Sequence, residues 1–586
     1  MLKDLRQTFE RIADQSHIPA KFCFFIDGLD EYSGEEEEVV KILSFLFNWP
    51  HVKLCVSSRP RPVLEEKFVH SSHTLTVQDF TREDMKTYVR QRLQSNEKFK
   101  RLQASDPSSE TIIKQIAAQA QGVWLWVFLV TRELVHAVNR NEGLPMLRKI
   151  LHQFPPDLEA YFQHIIEGIK PSFREEMAQI FLITIKEVQP LPLFAFSLLE
   201  RESKSSDYAV EAPIAPVSAE ELSETYSTWK MRIQNRCGDL LMVDDRPHPA
   251  LDAGDSKPAL LSHPVDFLHR TVRDFLQDCY YKKLEEALVS PFDPLASLCK
   301  MTLFLLKGLP DARTDLRQKA SINGIVGLVD ELLYYTHELE KGDRSLEPSL
   351  NGILDEVNRV NCHYATRSIR NHWTHARDSP PARGHDEYRE GGKCNFLALA
   401  VQARLVKYVR AKIQSDPRRA QKAGRPLLDY ALRPRRVTAI SMPYHSERED
   451  PSVDVEMVQL LLEYGASPNQ QVHLNDGRTV WALFLLSCHE STNRDEASMA
   501  LKNAWYQASE LLIRHGAKME CWFDNDDRPL TVPQILARIF GEEKALRLRR
   551  LMEEAQTQRV SGSWWSWPPT VATLVRGMPM FGRPSS

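Results

Sequence analysis

Residues 21–32 read KFCFFIDGLDEY, and this stretch determines how the rest of the chain is interpreted. Its apolar run, residues 22–26, leads directly into Asp27 and Gly28. A short continuous apolar run is typical of a strand buried on both faces of a parallel sheet, because a surface strand would alternate. Parallel sheets bind ligands beyond the carboxyl ends of their strands, which is where Asp27 would lie. The pattern predicts a ligand site at Asp27; the alternative is a buried strand that ends in an Asp-Gly turn.

Acidic side chains cluster just after this strand. A carboxylate at Asp27 can hold the water shell of Mg²⁺ while the metal bridges nucleotide phosphates. Asp30 and Glu31 follow one turn later, where a carboxylate can orient or deprotonate an attacking water. These residue types in this order favour a nucleotide site.

A second segment supports this interpretation. Residues 52–56, VKLCV, predict another short strand, and Arg59 follows soon after it. A guanidinium at the carboxyl end of a neighbouring strand is well suited to a terminal phosphate. Residues 36–47, between the strands, carry apolar side chains at helical spacing. Together these elements predict a β-α-β crossover of about thirty residues.

The phrases FFIDGLDEY and VKLCVSSRP resemble the Walker B and sensor 1 segments of NACHT-type STAND NTPases, the NLR-like signalling ATPases of innate immunity. The resemblance is greatest to the large fungal set. It implies that Asp27 coordinates Mg²⁺, that Asp30 and Glu31 serve hydrolysis, and that Arg59 senses the γ-phosphate. The cofactors of that family are ATP or ADP with Mg²⁺.

The phosphate loop of such proteins, GxxxxGK[ST], is missing from this sequence. The Gly-Lys pair at 392–393 has Glu387 in place of the first glycine and is followed by Cys394. We therefore expect an N-terminally truncated family member, through gene-model error, an alternative start or real loss. Without the cradle of backbone N–H groups most phosphate affinity is lost, so we expect no ATP hydrolysis and no enzyme. Two alternatives remain: a purely structural interaction scaffold, and an active ATPase whose phosphate loop lies upstream.

Bulk properties restrict the class of protein. The formal net charge is −4, which gives no electrostatic footprint for nucleic acid. Nine scattered cysteines are typical of a reduced, intracellular protein rather than a disulfide framework. No apolar run approaches the length of a membrane span, and the charged N-terminus lacks a signal-peptide core. We expect a cytoplasmic protein without a transmembrane segment.

The remaining pattern predicts a multidomain chain: an α/β P-loop-NTPase remnant with a parallel sheet, then all-α and winged-helix-like regions, then ankyrin-like repeats. A third strand is predicted at 74–77, a helix start capped by Thr81, and a polar loop at 94–109. The predicted segments are a partial NACHT core at 1–80, a helical domain at 81–200, a winged-helix-like module at 220–290, a helical segment at 291–365, a linker at 366–393, degenerate ankyrin-like repeats at 394–540, and a charged helix with a Trp-rich tail at 541–586.

Within the winged-helix-like module, residues 265–276 (VDFLHRTVRDFL) predict a strand that passes into an amphipathic helix. This phrase also resembles fungal NACHT proteins. His269 and Arg270 are candidates for nucleotide or partner contacts, but a helix-capping or inter-helix role is the favoured interpretation. A winged helix can bind DNA, yet no basic cluster supports that here.

The C-terminal third contains an internal repeat. Residues 457–469 (MVQLLLEYGASPN) and 508–519 (ASELLIRHGAKM) share an apolar helix that stops at a glycine, Gly465 or Gly516. These phrases resemble the outer helix and turn of ankyrin repeats, although the usual T-P-L-H entry is absent. An irregular helical domain is the alternative. Stacked helix pairs offer a concave surface for protein partners, and self-oligomerisation is a further possibility.

The tail carries Trp564, Trp565 and Trp567. Exposed tryptophans near a terminus serve as docking motifs or membrane-interface anchors, or fold back onto the last repeat. The sequence does not separate these interpretations.

Overall fold

The computed structural model describes most of residues 20–560. The residues outside its description are 1–19, 30–35, 48, 50, 59–62, 65–73, 76, 107, 121–122, 156, 246–257, 312–313, 316–318, 343–347, 369–394, 423, 434–452, 474, 494–497, 520–521, 524–529 and 561–586. The described part is mainly helical, with three two-stranded sheets. The chain divides into two compact units, Met1–Gln163 and His164–Ser586.

Unit 1 begins with the predicted β-α-β crossover. Strand β1 (Phe22–Ile26) pairs in parallel with β2 (Val52–Val56), in register over all five residues of each strand. Helix α1 (Glu36–Phe47) connects the strands and packs against β2. Parallel strands need such a crossover because a tight turn cannot join them.

The two faces of this sheet differ in burial. On one face Phe24 is half-buried and Val52 is buried, whereas Cys23, Phe25 and Cys55 on the other face are exposed. Phe25 is 79% exposed. The expectation that β1 is buried on both faces is therefore wrong. The apolar run arises from residues on both faces, but only one face is covered.

The helices that follow β2 in unit 1 are α2 (Val77–Gln94), α3 (Glu97–Ser105), α4 (Ser109–Gln119), α5 (Trp124–Asn139), α6 (Leu144–Gln153) and α7 (Leu158–Glu167), the last of which crosses the unit boundary. Helix α2 packs against α4 and α5, and α5 packs against α6. The buried Trp126 donates its indole N–H to the carbonyl of Pro155 at 2.7 Å. The predicted break near Gly122 is present between α4 and α5.

The predicted third strand at 74–77 is wrong where the structure describes it. Thr74 and Leu75 have no regular structure, and Val77 is the first residue of α2. Thr81 therefore lies inside α2 and is not its N-cap. The helix begins at the apolar Val77, four residues before Thr81, so the Thr-x-x-Asp pattern did not mark its start.

The polar segment 94–109 is not a loop, because it contains α3. The Asn96 side chain accepts a hydrogen bond from the N–H of Lys98 at 3.0 Å and caps this helix. Phe99 is fully buried. A single apolar anchor and a good cap are enough to keep a polar segment helical when neighbours cover one side.

Unit 2 continues with a mixed region. Its elements are α8 (Arg174–Lys186), α9 (Leu193–Glu202), α10 (Tyr208–Glu211), α11 (Ala219–Cys237), β3 (Leu241–Val243), β4 (Val265–Phe267), α12 (Arg270–Phe275), a π-helix (Leu276–Tyr280) and α13 (Tyr281–Glu286). Strand β3 pairs antiparallel with β4, and Pro192 bridges Pro264 on the other side. A short extended segment before α9 thus extends the β3–β4 sheet.

Helix α11 is fixed at both ends. The Ser218 hydroxyl accepts from the N–H of Glu221 at 3.1 Å, which satisfies a donor of the first turn. The helix stops at Gly238, whose φ is 55°. A Cβ at Gly238 would lie 2.4 Å from a methyl carbon of Ile165, so the position requires glycine.

Three long helices follow: α14 (Pro294–Lys307), α15 (Lys319–Lys341) and α16 (Pro348–Ser368). Helix α14 packs against α15 and α16 and also against α8 and α9. Lys307 is buried at the end of α14 and pairs with Glu356. It also donates to the carbonyls of Val210 and Ala212, each at 2.7 Å. Burial lowers the pKa of Lys307, and Glu356 opposes that shift.

The C-terminal region consists of helix pairs. The pairs are α17 (Phe396–Gln402) with α18 (Val406–Ser415), α19 (Leu427–Leu432) with α20 (Val455–Glu463), α21 (Val480–Asn493) with α22 (Met499–Arg514), and α23 (Val532–Phe540) with α24 (Glu542–Val560). The first helices of successive pairs pack on one another in the order α17, α19, α21, α23. The second helices pack in the order α18, α20, α22, α24. Two parallel rows result.

The two predicted glycine stops end helices in the second row. Gly465 has φ 89° and Gly516 has φ 91°. After each glycine an alanine N–H donates to a leucine carbonyl five residues earlier, at 3.0 Å in both turns. Glycine adopts this left-handed conformation without steric cost. The repeat found in the sequence is therefore a repeat of local structure.

No described helix is both long enough and apolar enough to cross a membrane. Most of the predicted linker and the entire Trp-rich tail lie outside the described residues. The boundaries of the seven predicted segments stay predictions.

Candidate functional site

The carboxyl ends of β1 and β2 lie side by side, as the sequence predicted. The N–H of Ser57 donates to the carbonyl of Ile26, and the N–H of Leu29 donates to the carbonyl of Ser57, each at 2.9 Å. These bonds bring Asp27 against Ser57. The Ser57 hydroxyl donates to Asp27 Oδ1 and accepts from the N–H of Gly28 at 3.1 Å.

Of the four residues predicted for the nucleotide site at the end of β1 and β2, the structure describes Asp27. Asp30, Glu31 and Arg59 lie outside the described residues. Ser57 was missed by sequence reasoning. The available signal was the equal length of the two strands, which places the residue after β2 beside the residue after β1.

Asp27 is chemically suited to Mg²⁺, which proteins bind through one or two carboxylates together with water and substrate phosphates. Its carboxylate is exposed, and Ser57 orients one of its oxygens. Within the described residues, no group of three or more His, Cys, Asp or Glu side chains could hold a metal ion. The described part of this site thus supplies one carboxylate and one hydroxyl.

In the mixed region of unit 2, the cations of α11 are paired with carboxylates. Arg232 pairs with Glu176 and Glu200, and Arg236 donates to Glu176 at 2.7 Å. Lys230 pairs with Asp245, and this hydrogen bond raises the pKa of Lys230. These ion pairs hold neighbouring elements together. Each described Lys or Arg side chain of α11 has a carboxylate partner.

His269 caps a helix, which was the favoured interpretation from sequence. Its Nδ1 accepts from the N–H of Thr271 at 3.2 Å at the start of α12. Arg270 lies 3.5 Å from Asp274 one turn later. The described contacts of both side chains are structural.

A buried carboxyl group lies where α8 ends. Glu187 accepts from the N–H of Leu191 at 3.2 Å. Burial raises the pKa of Glu187 well above its ordinary value; Asp266 and Glu331 add to this, and Arg273 opposes it. Burial therefore favours the protonated form of this carboxyl group.

The first helix pair is joined to α15 and α16 by carboxylates. Glu340 accepts from the backbone N–H groups of Lys407 and Tyr408, at 2.9 and 3.0 Å. Asp355 accepts from the Tyr408 hydroxyl at 2.9 Å and pairs with Lys412. A carboxylate suits the N-terminus of α18 because unpaired N–H groups and the helix dipole meet there.

Three connections join successive helix pairs: residues 416–426, 464–479 and 515–531. They form hydrogen bonds with one another. Gln470 Nε2 donates to the carbonyl of Lys422 at 3.0 Å. Asn469 Nδ2 donates to the carbonyl of Gly516 at 2.7 Å, and its Oδ1 accepts from the N–H of Lys518 at 3.0 Å. The three connections therefore form one continuous edge.

The second connection is a hairpin. Gln471 bridges Thr479, and the N–H of Arg478 donates to the carbonyl of Asn475 at 2.8 Å. Asp476 and Gly477 have φ values of 51° and 72°, which is the type I′ geometry that Asp-Gly favours. The third connection contains β5 (Trp522–Phe523) and β6 (Leu530–Thr531), an antiparallel pair. Hairpins therefore precede α21 and α23 alike.

Comparison with known proteins gives one family match. The model of a domain of unknown function (DUF7791) matches residues 168–316, which extend from the end of α7 past α14. No curated protein and no solved structure matches the sequence.

Proposed function

We propose that the chain is a NACHT-type STAND regulator of the fungal innate-immunity or heterokaryon-incompatibility kind. Its C-terminal helix pairs bind a protein partner, and it does not hydrolyse ATP by itself. The observation that carries this proposal is the pair of parallel helical rows in residues 396–560. Such stacking creates an extended surface without catalytic groups.

Three features support an ankyrin-like reading of these pairs. Each turn of the second row at Gly465 and Gly516 has the same hydrogen bonds. Hairpins connect one pair to the next before α21 and α23. The connections form a continuous edge, and His473 and Arg478 are exposed on it. A partner would contact this edge and the adjoining first row.

The mixed region supports a winged-helix-like module that would begin at α8, before the boundary predicted at residue 220. Its order is helix α8, a short extended segment at Pro192, helices α9 and α11, then β3 and β4 with β4 in the middle. A winged helix has this order of elements. The paired cations of α11 argue against a nucleic-acid role, because phosphate binding needs available Lys and Arg side chains.

In the nucleotide core, the position of Asp27 at the end of β1 supports the Walker B assignment. Bound Mg²⁺ would supply charge neutralisation to ATP or ADP phosphates, and Asp27 would hold it with Ser57 orienting the carboxylate. The hydrogen bond from Ser57 is also compatible with the scaffold alternative, since it gives one oxygen of the carboxylate a partner without any ligand.

Site-specific photo-crosslinking in the native cell tests the protein-binding role. A photoreactive amino acid replaces His473, which is exposed on the hairpin edge, or Gln459, which is exposed on the second row. We expect defined crosslinked partners from position 473 and few from position 459. Equal crosslinking from both positions would contradict a binding edge.

Calorimetry with ATP, ADP and Mg²⁺ tests the nucleotide role. The full chain is compared with Asp27→Ala and with Asp84→Ala, which removes an exposed carboxylate from α2. Nucleotide binding that weakens only in Asp27→Ala supports a remnant site. Absence of binding in all three favours the scaffold alternative. Measurable hydrolysis by the full chain would overturn the proposal that it lacks ATPase activity.

A further inference from the structure

Helix α11 presents one stripe of its surface to solvent. Glu220, Glu224, Met231 and Asn235 are all exposed, and at 3.6 residues per turn they lie within about 60° of one another around the axis. Met231 is 64% exposed although it lies well inside a helix of 19 residues. The same face also exposes the neutral polar residues Ser223, Ser227, Thr228 and Gln234. Its charged groups are therefore two carboxylates, and its apolar group is Met231.

The opposite side of α11 faces the fold. Trp229, Ile233 and Cys237 are buried there. Arg232 and Arg236 lie beside this buried side and stack on aromatic rings, Arg232 at 4.4 Å from the Trp229 ring centre and Arg236 at 3.6 Å from that of Phe173. Cations that pack against rings and carboxylates are held inward. The exposed stripe carries negative charge only.

The helix is a rigid support for this stripe. Ser218 caps its start and Gly238 its end. Ion pairs from Arg232 join it to α8 and α9 through Glu176 and Glu200. It also packs against β3. A binding partner would pay little ordering cost on such a surface.

We infer that the exposed stripe of α11 docks a cationic, amphipathic protein segment. Charge complementarity selects this occupant: Lys or Arg side chains pair with Glu220 and Glu224, and an apolar side chain packs on Met231. A polyanion such as DNA is repelled by the same carboxylates. This surface is separate from the hairpin edge of the helix pairs and does not depend on the function proposed for them.

Fluorescence anisotropy with defined probes tests the inference on the full chain. The probes are a labelled amphipathic peptide of about 18 Lys and Leu residues with apolar positions at helical spacing, the same peptide with Glu for Lys, and a short DNA duplex. We expect binding of the Lys peptide only, and affinity that falls as salt is added.

Paired substitutions locate the site. We expect Glu220→Lys with Glu224→Lys to weaken binding by at least about tenfold, and Met231→Ala by about threefold to tenfold. The matched controls are Glu285→Lys with Glu286→Lys on the exposed face of α13, and Met499→Ala, an exposed methionine in α22. Both controls should bind as the unmodified chain does.

Three results would overturn the inference. These are absence of Lys-peptide binding to the unmodified chain, an equal loss in the α13 control, and tighter binding of DNA than of the peptide. Thermal unfolding of every variant, monitored by circular dichroism, separates loss of the surface from loss of the fold. Because the substituted side chains are exposed, we expect unfolding temperatures to fall by a few degrees at most, including the effect of placing a cation at Glu220 in the first turn of α11.

Discussion

The β1–β2 sheet and the C-terminal helix pairs close their cores in different ways. Both consist of short apolar segments, yet Phe25 in β1 is 79% exposed whereas Leu461 in α20 is fully buried. Each helix pair is covered by the next pair along the chain. A parallel sheet needs layers on both faces, which neighbouring residues in sequence do not supply. Repeated helix pairs therefore cover one another's apolar side chains, whereas the β-α-β crossover leaves one face of its sheet exposed.

The largest loss of stability should come from removing a buried carboxylate inside the helix pairs. Asp429 is fully buried and pairs with Arg425 and Arg433, each at 2.7 Å. Burial alone would raise the pKa of Asp429, but the two arginines hold it below its ordinary value. Asp429→Ala removes the carboxylate partner that the buried Arg425 shares with Arg433, and should cost about 3–5 kcal/mol in the free energy of unfolding.

Denaturant unfolding measures that loss. The control is Glu456→Ala, which removes the exposed partner of Arg410 and should cost under about 1 kcal/mol. Equal losses in the two variants would mean that the α19 region is as open to water as the surface.

A pair of apolar substitutions tests the comparison directly. Leu461→Ala should destabilise unit 2 by about 2–4 kcal/mol, because it leaves a cavity between packed helices. Phe25→Ser should change stability by less than about 0.5 kcal/mol and should reduce aggregation, because the ring is largely in water. Thermal unfolding and light scattering measure both effects. A large loss for Phe25→Ser would show that this face is covered in solution.

A smaller effect is expected where the helix pairs begin. Glu340→Ala leaves the N–H groups of Lys407 and Tyr408 without their carboxylate and should cost about 1–3 kcal/mol. Amide exchange at residues 406–409 should accelerate. Glu338→Ala serves as the control, because Glu338 pairs only with Lys341 among its described contacts. Unchanged exchange in the Glu340 variant would show that α18 is held by packing alone.

The smallest expected effect is a dependence of the free energy of unfolding on pH. Burial raises the pKa of Glu187 in the folded state. At pH values above the ordinary pKa of a glutamate, the folded state therefore binds more protons than the unfolded state does. Stability should therefore fall with rising pH in that window. Glu187→Gln should flatten this slope at pH values above about 4.5, the ordinary pKa of the side chain. Denaturant titrations at several pH values measure it, and an unchanged slope would contradict a raised pKa at Glu187.

Sequence reasoning predicted the elements whose signals are local. The crossover around α1 and the strand-to-helix passage at 265–276 carry apolar periodicity of their own, and so do the glycine stops at Gly465 and Gly516. Helix α3 was missed because Phe99 is its single buried apolar residue. Its stability depends on neighbours that a local pattern does not contain.

The contacts that join distant parts of the chain were not predictable in the same way. Ser57 reaches Asp27 across 30 residues, and Glu340 reaches Lys407 across 67. Ser and Glu are common surface residues, so their identity alone gives no sign of such a partner. Only the strand register, and the position of the first helix pair beside the end of α15, specify them.

The Glu340 contact also sets an order of events during synthesis. Lys407 leaves the ribosome 67 residues after Glu340, which at about 5–20 residues per second is an interval of about 3–13 s. Through that interval α15 ends in a carboxylate that still faces water. The Glu340 carboxylate therefore gains its partners only when the first helix pair has been synthesised. The speed of translation through residues 341–408 sets how long this end of α15 remains exposed in the nascent chain.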